Sequence, residues 1–194
     1  MKLSKNLSMQ KSDPLISILI ATLESRKDVF SVLYSYLQKM NIYADKVEII
    51  INSDSGQRTL GEKRNDFIRQ AKGKYIAMID DDDWVAEEYL HYMIKAAESE
   101  CDCASLVGKH YMKGKFIKPF YHSIKYRSWW EDENGYYRYP NHLNLIKKEL
   151  VNDIFFLEKD YKYGKDYEWS KQINESGRLK NEFVITQTLY RYDE

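Results

Sequence analysis

The stretch from Tyr75 to Trp84 limits what this chain can become more than any other. It reads Tyr-Ile-Ala-Met-Ile, then Asp80, Asp81, Asp82 and Asp83, then Trp84. A short, mostly apolar run predicts a buried strand, and its abrupt end in acid predicts a sheet edge open to solvent. Four neighbouring carboxylates repel one another, so they need a cation or helix N-terminal amides to offset them. If the extended geometry continues, Asp80 and Asp82 point the same way. That places two hard oxygen ligands on one side, suited to Mg²⁺ or Mn²⁺ carrying a phosphorylated substrate. The competing expectation, a solvated turn that caps the next helix, suits Asp83 best.

The order of elements before that stretch fixes the fold class. Pro14 marks the entry to structure after a polar lead-in over residues 1–13. Ile16–Ala21 is an isoleucine-rich candidate strand, and Ser25 with Asp28 fits a capping box. Val29, Val32, Leu33, Tyr36, Leu37 and Met40 then repeat at helical spacing. Val47–Ile51 reads as a second buried strand, residues 52–56 as a loop, and Gly61–Ala71 as a second helix stopped by Gly73. Strand, helix, strand, helix, strand is the signature of parallel βαβ units, whose ligands sit beyond the carboxyl ends of the strands. The loops 22–26, 52–58 and 80–84 should therefore open on one edge.

The second half is less regular. A helix is expected over Ala86–Ser99, a strand over Cys103–Val107, and a hairpin around Lys113-Gly114. Residues 121–140 are dense in aromatics without a clear period and read as a long loop that covers the sheet or serves function. Ile146–Asn152 reads as a short helix, the run from Tyr163 as the start of another ending near Gly177, and Phe183–Tyr190 as a closing strand. With 194 residues and no sign of a boundary, a single domain over 14–194 is expected.

Composition narrows the function. Thirty basic and thirty acidic side chains leave no net field to attract nucleic acid. Cys101 and Cys103 are the sole cysteines, too close for a comfortable bridge and without a partner cluster for zinc, so buried free thiols are expected. The longest apolar run, Leu15–Leu23, is too short to span a bilayer, and the expectation is a cytoplasmic protein, at most peripheral to a membrane.

In sum the motifs resemble family 2 glycosyltransferases, nucleotide-sugar-dependent enzymes with the GT-A fold. The resemblance runs from Pro14 to about Ile173. It rests on the Pro-led first strand ending in Ala21-Thr22, the acidic loop after the second strand, and Gly61-Glu-Lys-Arg-Asn65. Ala71-Lys-Gly-Lys-Tyr75, the Asp cluster and a late Gly164-Lys-Asp166 complete it. It implies a GT-A domain, with a mostly parallel central sheet flanked by helices. Residues 14–84 would form the nucleotide-binding half and 85–194 the acceptor side.

The resemblance also implies roles. Thr22 and Glu24 would lie against the nucleotide, Asp54 would read the base, and Arg64 would sit near base or diphosphate. Lys63 is expected only to decorate its helix, and Asn65 either joins the site or ties helix to loop. Asp80 and Asp82 match the DxD motif, Asp80 toward ribose or metal and Asp82 on the metal, with Asp81 beside the nucleotide or in support. Asp166 matches the base of an inverting displacement, with Lys165 where the family usually carries an acid. His142, in Asn141-His-Leu-Asn144, would contact diphosphate, metal or acceptor, and Trp169 would line the acceptor pocket. The implied partners are Mn²⁺ or Mg²⁺, a donor that is a UDP-sugar by family habit, and a glycan, lipid-linked or protein acceptor. The Gln/Arg-x-x-Arg-Trp motif of processive synthases is missing, which favours transfer of one sugar.

Other classes fit less well. Asp-dependent phosphatases want Thr or Val where Trp84 stands, and nucleotidyltransferases want a glycine-rich loop where Ala21–Ser25 has no glycine. A domain that binds nucleotide or glycan without turnover remains the non-enzymatic alternative.

Overall fold

The computed structural model describes residues 13–40, 43, 45–157 and 164–194. The lead-in before Asp13, Tyr163 and the Lys165 side chain lie outside what is described. In chain order the first elements are β1 (Ile16–Leu23), α1 (Lys27–Met40), β2 (Val47–Asp54), α2 (Leu60–Gln70), β3 (Tyr75–Met78), β4 (Trp84–Val85) and α3 (Tyr89–Glu98). Then follow β5 (Cys103–Ala104), β6 (Leu106–Met112), β7 (Lys115–His122), β8 (Trp130–Asp132) and β9 (Gly135–Arg138). The chain closes with β10 (Ile146–Lys147), α4 (Gly164–Ser176), β11 (Glu182–Phe183) and β12 (Thr188–Asp193).

Two six-stranded sheets result. The first has the order β11-β5-β10-β3-β1-β2, with β1 parallel to both β2 and β3. Its inner strands β1 and β3 are buried on both faces, which is why they read as continuous apolar runs. Along β1, Ile16, Ile18 and Ile20 enter the core shared with α1 and α3, while Leu19 faces the core shared with α2 and α4. The second sheet, β4-β12-β6-β7-β9-β8, is built from strands that follow the acidic run. Register brings Leu23 opposite Asp54, and the Ile79 amide donates to the Leu19 carbonyl, so the three acidic or polar loops do emerge on one edge.

Several local expectations need correction. The capping box belongs to α2, where the Glu62 amide donates to Thr59 Oγ1 (3.1 Å) and the Thr59 amide to Glu62 Oε2 (2.8 Å). Ser25 sits instead in a 3-10 turn, and Asp28 in the first turn of α1. Residues 146–152 form no α-helix: β10 slots antiparallel between β3 and β5, followed by a 3-10 turn at Lys148–Leu150. Two strand residues are too few to show a period. The aromatic loop contains the β8–β9 hairpin, whose Trp130 and Tyr137 rings stack at 3.9 Å. The expected closing strand is two, β11 in the first sheet and β12 in the second. The β6–β7 hairpin forms as expected, with Lys113 (φ 51°) and Gly114 (φ 74°) both left-handed, as a two-residue turn requires. Both cysteines are free and buried.

Gly73 is held by space. α2 already ends at Ala71, and a Cβ on Gly73 would lie 2.5 Å from the Ser17 amide nitrogen and 2.7 Å from the Ile16 carbonyl carbon. Backbone cannot give way as a side chain can. Gly73→Ala is expected to cost about 1–3 kcal/mol, seen as a lower urea midpoint with unchanged slope.

Candidate active site

The carboxyl edge of the first sheet gathers charge from four elements. After β3 the chain turns rather than running on extended: the Asp83 amide donates to the Asp80 carbonyl at 3.1 Å. The turn nonetheless sorts the aspartates alternately, with the side chains of Asp80 and Asp82 33% and 47% exposed while Asp81 and Asp83 are buried.

Each aspartate has its own partner. Asp80 Oδ1 accepts from an Arg64 terminal nitrogen at 2.7 Å, and Asp80 Oδ2 lies 3.3 Å from His142 Nε2. Burial pushes the Asp80 carboxyl up, but Arg64 and His142 outweigh it and hold the group well below the usual carboxylate range. Asp81 accepts from Thr22 Oγ1 at 2.6 Å and pairs with Arg26 at 3.1 Å, and burial raises its pKa. Asp82 pairs with Arg26 at 2.5 Å. Asp83 accepts from the Tyr190 hydroxyl at 2.8 Å, and burial, with Asp80 beside it, pushes it up to about 8.

Arg64 ties the edge together. It is buried on α2, lies over the Phe156 ring (5.3 Å to the centroid), and its second terminal nitrogen donates to Asp166 Oδ1 in the first turn of α4. His142 Nδ1 is 3.6 Å from that same oxygen. Asp80, Arg64, His142 and Asp166 thus form one constellation. Asn65 is a tie between helix and loop, exchanging hydrogen bonds with the Phe156 backbone at 2.9 and 2.8 Å.

Other expected residues take different places. The Thr22 hydroxyl is consumed by Asp81 and the residue is buried, so these two brace the edge from beneath rather than facing the cleft. Lys63 is no surface decoration: 3% exposed, it donates to the Thr22 carbonyl at 2.7 Å and pairs with Asp54 at 2.6 Å. The Lys63 hydrogen bond lowers the Asp54 pKa, and the Gly56 amide also donates to Asp54, at 3.0 Å. Glu24 accepts from the Ser55 hydroxyl, which joins the first two loops. Trp169 does not line a pocket. It is 1% exposed, stacks on Phe156 at 4.7 Å, and donates its indole N–H to the Ile154 carbonyl. Its place within an amphipathic helix was the signal for core packing.

Beside Asp80, His142 and Asp166 opens a cavity of about 330 Å³ whose far wall comes from the second sheet, including His122, Tyr136 and Arg138. None of those three stands out in the sequence, because they lie in strands far from the acidic motifs. Tyr190 was equally silent in its closing strand, and Arg26 carried no signal of its own although it lies in the 22–26 loop expected at this edge.

The edge, the βαβ order and the second sheet define a GT-A fold. The family model of glycosyl transferase family 2 matches residues 24–161, and the chain belongs to that family. The putative glycosyltransferase EpsH of Bacillus subtilis (strain 168) is 28% identical over 113 residues, covering 46% of this chain and 32% of EpsH. The crystal structure of S. aureus TarS shares the fold with a TM-score of 0.63 at 17% identity, covering 92% of this chain and 36% of TarS. A mannosyltransferase, PcManGT from Pyrobaculum calidifontis in complex with GDP-Man and Mn²⁺, gives 0.60 at 12% identity, covering 94% of this chain and 57% of that one. The chain therefore spans about a third of EpsH and of the TarS chain.

His122 supplies a test of the buried wall. It is 1% exposed, and burial drives its pKa down to about 3. The unfolded chain then binds the extra proton below about pH 6.5, so stability falls on acidification from there toward pH 3. Denaturant titrations from pH 7 to pH 5 should show a loss approaching about 1.4 kcal/mol per pH unit. His122→Gln should flatten that slope, whatever its own cost.

Proposed function

We propose that the chain moves one sugar from a nucleoside-diphosphate sugar to a hydroxyl acceptor, with inversion at the anomeric carbon. The observation that carries this reading is the Asp80–Arg64–Asp166 bridge. It brings the acidic turn after β3, with its metal-ligating carboxylates, beside a helix-start carboxylate that can take a proton. The family membership supports it, as do relatives described with UDP and with GDP-Man and Mn²⁺. Uridine is the favoured nucleoside by family habit, with Asp54 reading its base and Glu24 lying against the nucleotide in the joined loops. Thr22, Asp81 and Lys63 position those loops.

The residues fit a divalent cation that arrives with its substrate. Among the described residues no group of three or more His, Cys, Asp or Glu side chains is arranged to hold a metal alone. That suits Mg²⁺ or Mn²⁺, which take one or two carboxylates and complete their shell with phosphate oxygens and water. Asp82, supported by Asp80, would hold it. Arg26 stands in for a cation on Asp82, and an exposed pair of this kind costs only about 0–1 kcal/mol to open. Bound there, the cation would stabilise the charge that grows on the leaving diphosphate.

The chain's own part is the proton. Asp166 contacts Arg64 and His142 through Oδ1, and among the described residues no partner is seen on Oδ2. The acceptor hydroxyl gives its proton to Oδ2 as its oxygen bonds to the anomeric carbon. The bond from that carbon to the diphosphate oxygen breaks, and the electron pair leaves with the diphosphate. Arg64 fixes the aim of the carboxylate through Oδ1, at the first turn of α4.

Nucleoside diphosphate release across a nucleotide-sugar panel, with and without Mn²⁺, tests the reading. Asp166→Asn is expected to lower kcat by about 10²–10⁴-fold while UDP affinity stays near wild type. Wild-type rates in that variant would sink the base assignment. Asp82→Ala is expected to lose about a hundredfold or more in turnover together with the response to Mn²⁺. Full activity in a chelator would overturn the metal role.

A further inference from the structure

The cavity beside Asp166 is chemically unfinished on the side that the acidic turn does not reach. Seven buried side-chain polar atoms among the described residues have no hydrogen-bond partner, and five belong to residues lining this one cavity: Asp83, His110, His122, Trp129 and His142. Buried polar groups are nearly always satisfied, so such a concentration marks a place where water or a ligand supplies the missing bonds. Phe120, Trp129 and Tyr136 add aromatic rings to the lining, a surface that suits the apolar C–H groups of a sugar.

The polarity of the missing partners can be read atom by atom. The Asn144 amide is oriented by its own N–H, which donates to the Ala104 carbonyl at 2.9 Å. Its oxygen, 3.1 Å from His122 Nδ1, is therefore the acceptor, and Nδ1 carries the proton. His122 Nε2 is left as a lone-pair acceptor awaiting an O–H. Trp129 Nε1 can only donate, so it awaits an oxygen. One acceptor and one donor against aromatic walls suit the hydroxyls of a saccharide.

Arg138 adds what a neutral sugar does not need. It is the register partner of His122 across β7 and β9, so both side chains leave the sheet on the same face. Its guanidinium lies 4.5 Å from the Trp129 ring centroid and 5.5 Å from that of Tyr136. Among the described residues no carboxylate pairs with it. Glu131 and Asp166 act on it only through space: Asp80 and Asp166 Oδ1 are engaged by Arg64, Glu131 pairs with Lys118 at 2.8 Å, and Glu194 at the rim faces His110 at 3.7 Å. A half-buried guanidinium without a carboxylate is costly unless an anion arrives to meet it.

We propose that Arg138 is a specificity-determining residue that binds an anionic substituent, a carboxylate or a phosphate, on the acceptor sugar seated in this cavity. His122 Nε2 and Trp129 Nε1 take hydroxyls of the same ring. The inference rests on the transferase reading for the word acceptor, but the site itself is defined by this chain's own unpaired groups.

Calorimetric titration of the full chain with glucose, glucuronic acid and glucose 6-phosphate tests it, without nucleotide present. At least one charged sugar should bind about tenfold or more tighter than glucose, and which one does so separates a carboxylate from a phosphate source. Arg138→Gln should abolish that preference and Arg138→Lys should restore part of it, since a point charge lacks the forked geometry. On the wild-type chain, inorganic phosphate should displace the charged sugar, a readout that needs no variant to fold. Equal binding of glucose and the charged sugars, binding of none of them at millimolar concentration, or a preference that survives Arg138→Gln would each overturn the inference. The transferase reading fails by a different signal, the lack of UDP binding in the presence of Mn²⁺, which leaves the sugar comparison readable.

Discussion

The guanidinium of Arg64 is the interaction on which the rest of this site depends. Asp80 and Asp166 are 86 positions apart in sequence, and both aim an oxygen at the same buried cation. Remove that cation and two carboxylates would face each other across a partly dry edge, each at several kcal/mol of cost. Arginine suits the task because its planar fork reaches two carboxylates at once and keeps its charge when buried. The Phe156 ring beneath it, pinned by Asn65 and Trp169, fixes the plane of the fork. A stretch of core packing thus sets the aim of a polar group some ångströms away.

The two sheets divide the work. The first sheet delivers negative charge, because three parallel strands end on one edge and the chain turns acidic at each. The second delivers neutral and cationic groups: Tyr190 from β12 under Asp83, then His122 from β7 and Arg138 from β9 across the cavity. Neither wall is complete without the other. The long-range pairing of β12 with β6 and β4 is what brings Tyr190 back to the acidic turn, so the closing strand belongs to the site as much as to the fold.

The legible part of the sequence was the part governed by local rules. Three buried strands and their helices showed through period and punctuation, and the hairpin at Lys113-Gly114 through its turn chemistry. What did not show depended on tertiary contact. Ile146–Lys147 is a strand only because β3 and β5 leave a slot for it, and the aromatic segment pairs as a hairpin because Trp130 and Tyr137 stack. Lys63 looked like one more helix lysine, since nothing local reveals that its neighbours are the Asp54 carboxylate and the Thr22 carbonyl. Trp169 misled for the opposite reason: proximity to Asp166 in sequence suggested a pocket, whereas helical geometry turned the indole toward the core.

Charge balance explains why the acidic run is stable yet open to substrate. Its four aspartates are not offset in one way but in four. Asp80 has a buried cation that is part of the fold, and Asp83 lies under the Tyr190 hydroxyl, where burial and the neighbouring Asp80 favour its protonated form. Asp81 has a hydroxyl and a share of Arg26, and Asp82 has Arg26 alone, at the surface. Only the last arrangement is cheap to exchange, because exposed ion pairs are weak while buried ones are costly to break. The run therefore presents one replaceable counter-ion, Arg26, above fixed partners: Arg64 at Asp80 and neutral hydroxyls at Asp81 and Asp83. That is the distribution expected where a mobile cation must come and go without disturbing the edge that receives it.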